Sequence, residues 1–202
     1  MTEQTGPEAT GPDTTVGVDS ATAALGASAA QAGPDFARAI VTDAPTADYP
    51  QRMMRFGRLV GSWDVRSKRL DETTGEWSES EFRWIVSYIL EGMAVQDVAV
   101  VPNDAHPSGF ETISTTLRVY DRLMGAWRVS YVEPKRGEFC QLVATPHKSD
   151  GIRQDGTRND DKLIRWNFSK ITADSYVWES WVSDDEGATW WLQEHNEGRR
   201  VA

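Results

Sequence analysis

From Leu59 to the end of the chain, apolar residues recur at every second position in short runs separated by turn residues, and no helix-length pattern interrupts them. The alternation predicts strands over residues 60–70, 77–88, 93–101, 111–120 and 126–133. Five more follow over 138–145, 151–155, 161–169, 175–183 and 189–199. Turns such as Glu72-Thr73-Thr74-Gly75, Leu123-Met124-Gly125 and Asp155-Gly156 join them. About ten consecutive strands without helices between them argue against βαβ architectures and for an all-β antiparallel meander. With no helices to cover its edges, such a sheet is expected to close into an up-and-down barrel.

The preceding residues have a different composition. Residues 1–35 contain no aromatic, no Lys and no Arg, and cannot bury enough apolar surface to offset their ordering entropy. They are expected to be a disordered tail. With no basic start and no continuous apolar stretch they do not read as a secretory signal, so a cytoplasmic location is expected. Residues 36–58 hold two short helix candidates: Asp35 is placed to cap 36–41, and Asp48 precedes a run with Met53, Met54 and Phe56. Pro50 falls early in that run, where a helix tolerates it. The expected organisation is therefore a tail (1–35), short helices (36–58) and a barrel domain (59–202).

Charge narrows the function classes. There are 21 Lys and Arg against 31 Asp and Glu, a net charge of −10. Half of it comes from Glu3, Glu8, Asp13, Asp19 and Asp35 in the tail. This balance argues against nucleic acid or an anionic membrane as partner. No run approaches the roughly 18 apolar residues of a membrane helix. The lone Cys140 allows no internal disulfide, and His106, His147 and His195 lie far apart, so neither a metal nor a cofactor is expected. His195 has outward parity, which disfavours haem ligation. Neither a glycine-rich phosphate loop before a helix nor a Gly-x-Ser-x-Gly elbow is present.

Taking the more apolar face of each strand as interior lists a pocket. The expected ligand-binding residues are Trp84, Gln96, Trp127, Tyr131, Gln141, Trp166 and Trp178. The same parity turns Val98, Val100, Thr115, Leu117, Val119, Phe139, Val143, Trp190, Leu192, Glu194 and Asn196 inward. It sends Asp97, Arg118, Glu138 and Cys140 outside, and Trp77, Trp181 and Trp191 to the surface, where an apolar patch would suit a homodimer. A wide barrel with aromatic walls and a few convergent polar groups suggests binding of a hydrophobic small molecule. The alternative is a cofactor-free cyclase or isomerase that confines a bulky natural-product intermediate in the same cavity. Glu194 is then the candidate catalytic residue, because desolvation raises a carboxyl pKa unless a buried Arg pairs with it. Alternation alone does not separate binding from turnover.

Gly61-Ser62-Trp63, following a short helix at the first strand, is similar to the Gly-x-Trp opening of lipocalins and other calycins. In those proteins an Arg near the end of the last strand packs across the Trp, and Arg199 and Arg200 stand at that place here. The stretches LVGSWDV, TTLRVYD, AWRVSYVEP, LIRWNFSKIT and SWVSDDEGATWWL resemble a lipocalin-like bacterial family of unknown function, over roughly residues 55–200. The resemblance implies a calycin-like barrel and supplies no catalytic residues. Residues 183–190 also resemble the Asp-box hairpin of sialidases, in which an Asp side chain holds the turn; the motif occurs once.

Overall fold

The computed structural model describes residues 31–148 and 150–201. The disorder expected for residues 1–30 lies outside them. Helix α1 covers 31–40 and belongs to a unit separate from the body that begins at Val41. Asp35, expected to cap a helix over 36–41, lies inside the helix instead. An Asp35–Arg38 ion pair spaced i,i+3 supports it.

The body starts with β1 (Val41–Thr42) and α2 (Pro50–Gly57). Its strands are β2 (Gly61–Leu70), β3 (Trp77–Ile89), β4 (Ala94–Pro102), β5 (Phe110–Asp121) and β6 (Ala126–Glu133). They continue as β7 (Glu138–His147), β8 (Gly151–Thr157), β9 (Leu163–Ser169), β10 (Ser175–Ser183) and β11 (Trp191–Arg200). From β2 to β11 each strand pairs antiparallel with the next, and β11 pairs back onto β2, closing a ten-stranded barrel. Asp155-Gly156, expected as a turn, lies inside β8; a Cβ on Gly156 would stand 2.0 Å from the Gln141 carbonyl oxygen. Glycine there permits close strand approach, not chain reversal.

Helix α2 plugs one end. Pro50 occupies its first turn, no side chain caps it, and Met53, Phe56 and the following Leu59 are fully buried. Phe56 meets Trp127 edge-to-face at 5.0 Å. The same end holds the closure. Trp63 is fully buried, and its indole N–H donates to the Leu59 carbonyl at 2.8 Å. The Arg200 guanidinium lies 4.0 Å from the Trp63 ring centroid and donates to the Val60 and Arg58 carbonyls at 2.7 and 3.0 Å. Gly61 has φ of +129°, and a Cβ there would stand 2.4 Å from Arg200 Nη1. The glycine is thus required both by its backbone conformation and by the guanidinium beside it.

Arg199 points the other way, exposed and opposite Asp64 in the β11–β2 ladder. Urea denaturation is therefore expected to separate the two. Arg200→Ala should cost about 2–3 kcal/mol, since it removes charge-assisted bonds to carbonyls and the stacking. Arg199→Ala should stay within about 0.5 kcal/mol, as surface substitutions do. Equal losses would show that Arg200 does not close the barrel.

Two β-bulges reset which faces look inward. On β11, Glu194 pairs with Ser180 and Leu192 with Trp181, leaving Gln193 as the extra residue. On β5, Ser114 pairs with Ala99 and Thr112 with Val100, leaving Ile113 extra. A one-residue insertion reverses the alternation beyond it.

Candidate functional site

Antiparallel order places the turns after β2, β4, β6, β8 and β10 at the end away from α2, and a cavity of about 290 Å³ lies toward that open end. Aromatic rings form much of its wall. Trp84 stacks near Phe168 at 5.9 Å, Trp166 meets Tyr131 edge-on at 5.2 Å, and Trp178 meets Trp166 at 5.5 Å. Trp84, Phe168, Tyr176 and Arg118 lie deep, toward the plug, because their strands place them near the α2 end.

The remaining wall is charged. Deep inside, Asp97 and Arg118 form an ion pair with side chains 2% and 5% exposed, so little water screens it. Asp97 also accepts the Thr116 backbone N–H at 3.1 Å. The Arg118 guanidinium sits 5.1 Å from the Phe56 ring centroid and 5.8 Å from that of Trp84. Its Nε has no acceptor among the described residues.

Nearer the mouth, Arg69 bridges Glu194 at 3.2 Å and Glu138 at 3.4 Å. Burial works against the Arg69 charge, but these two carboxylates more than compensate and raise its pKa. Glu194 further accepts from Ser67 Oγ at 3.2 Å and Asn196 Nδ2 at 2.9 Å. Glu133 takes Arg136 at 3.1 Å and the Tyr131 hydroxyl at 2.7 Å. Burial, reinforced by Glu133, pushes the Tyr131 pKa up and keeps the phenol protonated. Cys140 turns inward beside Glu138, and burial with that carboxylate pushes its thiol up to about 12, so it is no nucleophile at neutral pH.

Of the residues expected to bind ligand, Trp84, Tyr131, Trp166 and Trp178 line the cavity, and so does Glu194. Trp127 is buried at the plugged end against Phe56 and Tyr120, so it forms core instead of cavity wall. Gln96 and Gln141 point out of the barrel; Gln96 donates to Thr115 at 3.0 Å, and Gln141 accepts from Ser130 at 2.9 Å. Glu194, the candidate acid–base group unless a buried Arg pairs with it, is paired with Arg69 and tied to Ser67 and Asn196.

The inward faces of β4, β5 and β7 are the opposite of those expected. Val95, Asp97 and Ala99 face in from β4, whereas Val98 and Gln96 face out. Ile113 is inward as expected, but the bulge then turns Ser114, Thr116 and Arg118 inward and sends Thr115, Leu117 and Val119 outside. On β7, Glu138, Cys140, Leu142 and Ala144 are buried, and Phe139 is 53% exposed. Trp190 leaves the barrel to lie over Arg165 at 3.9 Å, and Leu192 takes the outer parity with Trp181. Of the three surface tryptophans, Trp77 is exposed, whereas Trp181 and Trp191 are half-buried.

Two of the missed residues were legible: Glu133 shares the parity of Trp127, Val129 and Tyr131, and Arg69 that of Trp63, Val65 and Ser67. Asp97, Arg118 and Glu138 carried no such signal. The hairpin at 183–191 is held by Asp185, which accepts the Thr189 backbone N–H at 2.8 Å and the Thr189 and Ser183 hydroxyls at 2.6 and 2.8 Å. These bonds hold its pKa down at about 2.

No family model matches the sequence, and no curated protein matches it. Among solved structures the chain is similar to the S-type phycobiliprotein lyase CpeS from Guillardia theta, with a TM-score of 0.52 and 9% identity. The match covers 78% of this chain and 99% of that one. At this identity the likeness concerns the fold: a lipocalin-like β-barrel, here with an interior cavity of small-molecule size. Among the described residues no helix is long and apolar enough to cross a membrane.

Proposed function

We propose that this chain is a binding barrel for a compact small molecule with an aromatic frame and polar ends, seated in the central cavity. One observation carries the reading: the cavity sets aromatic walls beside side chains with unused hydrogen-bonding capacity. Among the described residues Arg118 Nε lacks an acceptor and Asn196 Oδ1 lacks a donor, although both residues are buried and both line the cavity. Orphaned buried polar atoms cost free energy, and a ligand that brings an oxygen to Arg118 relieves that cost. A volume of about 290 Å³ holds about ten waters, which suits one or two rings better than a bulky intermediate.

The neighbour's description as a phycobiliprotein lyase agrees with small-molecule handling by this fold. The partners already engaged by Glu194 favour binding over acid–base turnover. The lipocalin-like family of unknown function and the single Asp-box-like hairpin belong to the same reading.

The test is calorimetric titration of the full chain with indole. A saturable single site is expected. Ser80→Phe, at an exposed rim position that lines the cavity, should abolish it while changing stability by no more than about 0.5 kcal/mol. Indole binding that is unaffected by Ser80→Phe, or absent altogether, overturns the reading. Native mass spectrometry of freshly purified protein then gives the mass of any retained ligand.

A further inference from the structure

Resting on the binding reading above, we infer that the cavity selects a protonated amine: the ammonium sits against Tyr131, Trp166 and Trp178 near the mouth, with an N–H donated to Asn196.

Three independent features point there. The first is charge. Four carboxylates line the cavity against three guanidiniums, Arg69, Arg118 and Arg136. Asp97 and Arg118 neutralise each other in the depths, so the imbalance lies at the mouth, where Arg69 is shared between Glu138 and Glu194. A cationic ligand completes this arrangement, and an anionic one worsens it.

The second feature is the shape of the aromatic wall. Tyr131 and Trp166 meet at an interplanar angle of 88°, and Trp166 and Trp178 at 63°. Rings set at steep angles around one space present several faces to a single cation, as in the aromatic cages that hold ammonium groups. Among the described residues no Lys or Arg occupies these three rings; the internal Arg118 lies over Phe56 and Trp84 instead. The third is an acceptor without a donor. Asn196 is only 6% exposed, and its Nδ2 is committed to Glu194. That bond fixes the amide orientation and leaves Oδ1 without a donor among the described residues. Trp178 is the β10 residue paired with Asn196, so the acceptor and the cage share one level of the barrel. A protonated primary or secondary amine supplies both the charge and the N–H.

The test compares three probes on one frame by calorimetry at low ionic strength: phenethylammonium, 2-phenylethanol and 3-phenylpropanoate. Phenethylammonium is expected to bind at least about tenfold more tightly than the alcohol, with no measurable binding of the anion. Glu138→Gln should lower the affinity for the amine about tenfold and leave that for the alcohol unchanged. Trp178→Leu, at a partly exposed position, should lower the amine affinity without unfolding the chain. An alcohol or anion that binds as tightly as the amine overturns the inference. If phenethylammonium fails to bind while indole still saturates, the amine selectivity falls and the binding barrel stands. If indole fails as well, both fall.

Discussion

Replacing Trp63 with alanine is expected to remove about 3–5 kcal/mol of stability, the range for a buried tryptophan truncated in a core. The side chain is fully buried, its N–H satisfies the Leu59 carbonyl, and its ring meets Tyr176 at 5.0 Å and Arg200 at 4.0 Å. Truncation empties the junction where the first and last barrel strands meet and leaves the Arg200 guanidinium without its platform. Against a typical total of about 5–15 kcal/mol, such a loss brings the barrel close to unfolding at room temperature. Urea titration followed by circular dichroism measures it. A loss within about 1 kcal/mol, an ordinary single-mutant effect, would show that closure does not depend on Trp63.

Breaking the Asp97–Arg118 pair should have an effect of similar size. Both side chains are almost wholly buried, so removing one partner leaves the other charge without compensation, at about 3–5 kcal/mol. Asp97→Asn retains an acceptor for the Thr116 N–H, and Arg118→Met roughly retains the length of the chain beneath Trp84 and Phe56. The double variant buries no net charge there and should cost less than either single change, a pattern characteristic of a buried pair. Additive losses in a double-mutant cycle would mean that the two groups act independently. The pair also gives a reason for charge in this core: it fixes the inward face of β4 and β5, which apolar patterning leaves ambiguous.

That ambiguity marks the boundary between what is local and what is not. The ten strands were legible because strand alternation is a property of a few neighbouring residues, and each predicted segment overlaps the observed one. The closure at Gly61, Trp63 and a terminal Arg was legible through a motif, although only the packing singled out Arg200 over Arg199. Trp84, Tyr131 and Trp166 were legible as cavity wall because β3, β6 and β9 each have one clearly more apolar face. On β10, with Trp178 and Trp181 on opposite faces, the structure decided that Trp178 lines the cavity.

On β4 and β7 the polarity rule failed. Val98 looked more interior than Asp97, and Phe139 more interior than Glu138. The free energy of burying a carboxylate depends on what stands opposite it, and those partners are distant in the chain. Arg69 is 69 residues from Glu138 and 125 from Glu194. Arg118 reaches Asp97 only after a bulge shifts the alternation of β5. The sequence by itself therefore determined an all-β meander, the number of its strands and the aromatic part of its interior. Tertiary structure alone decided that the cavity is also charged, because a bulge and an ion pair become defined only when distant strands meet.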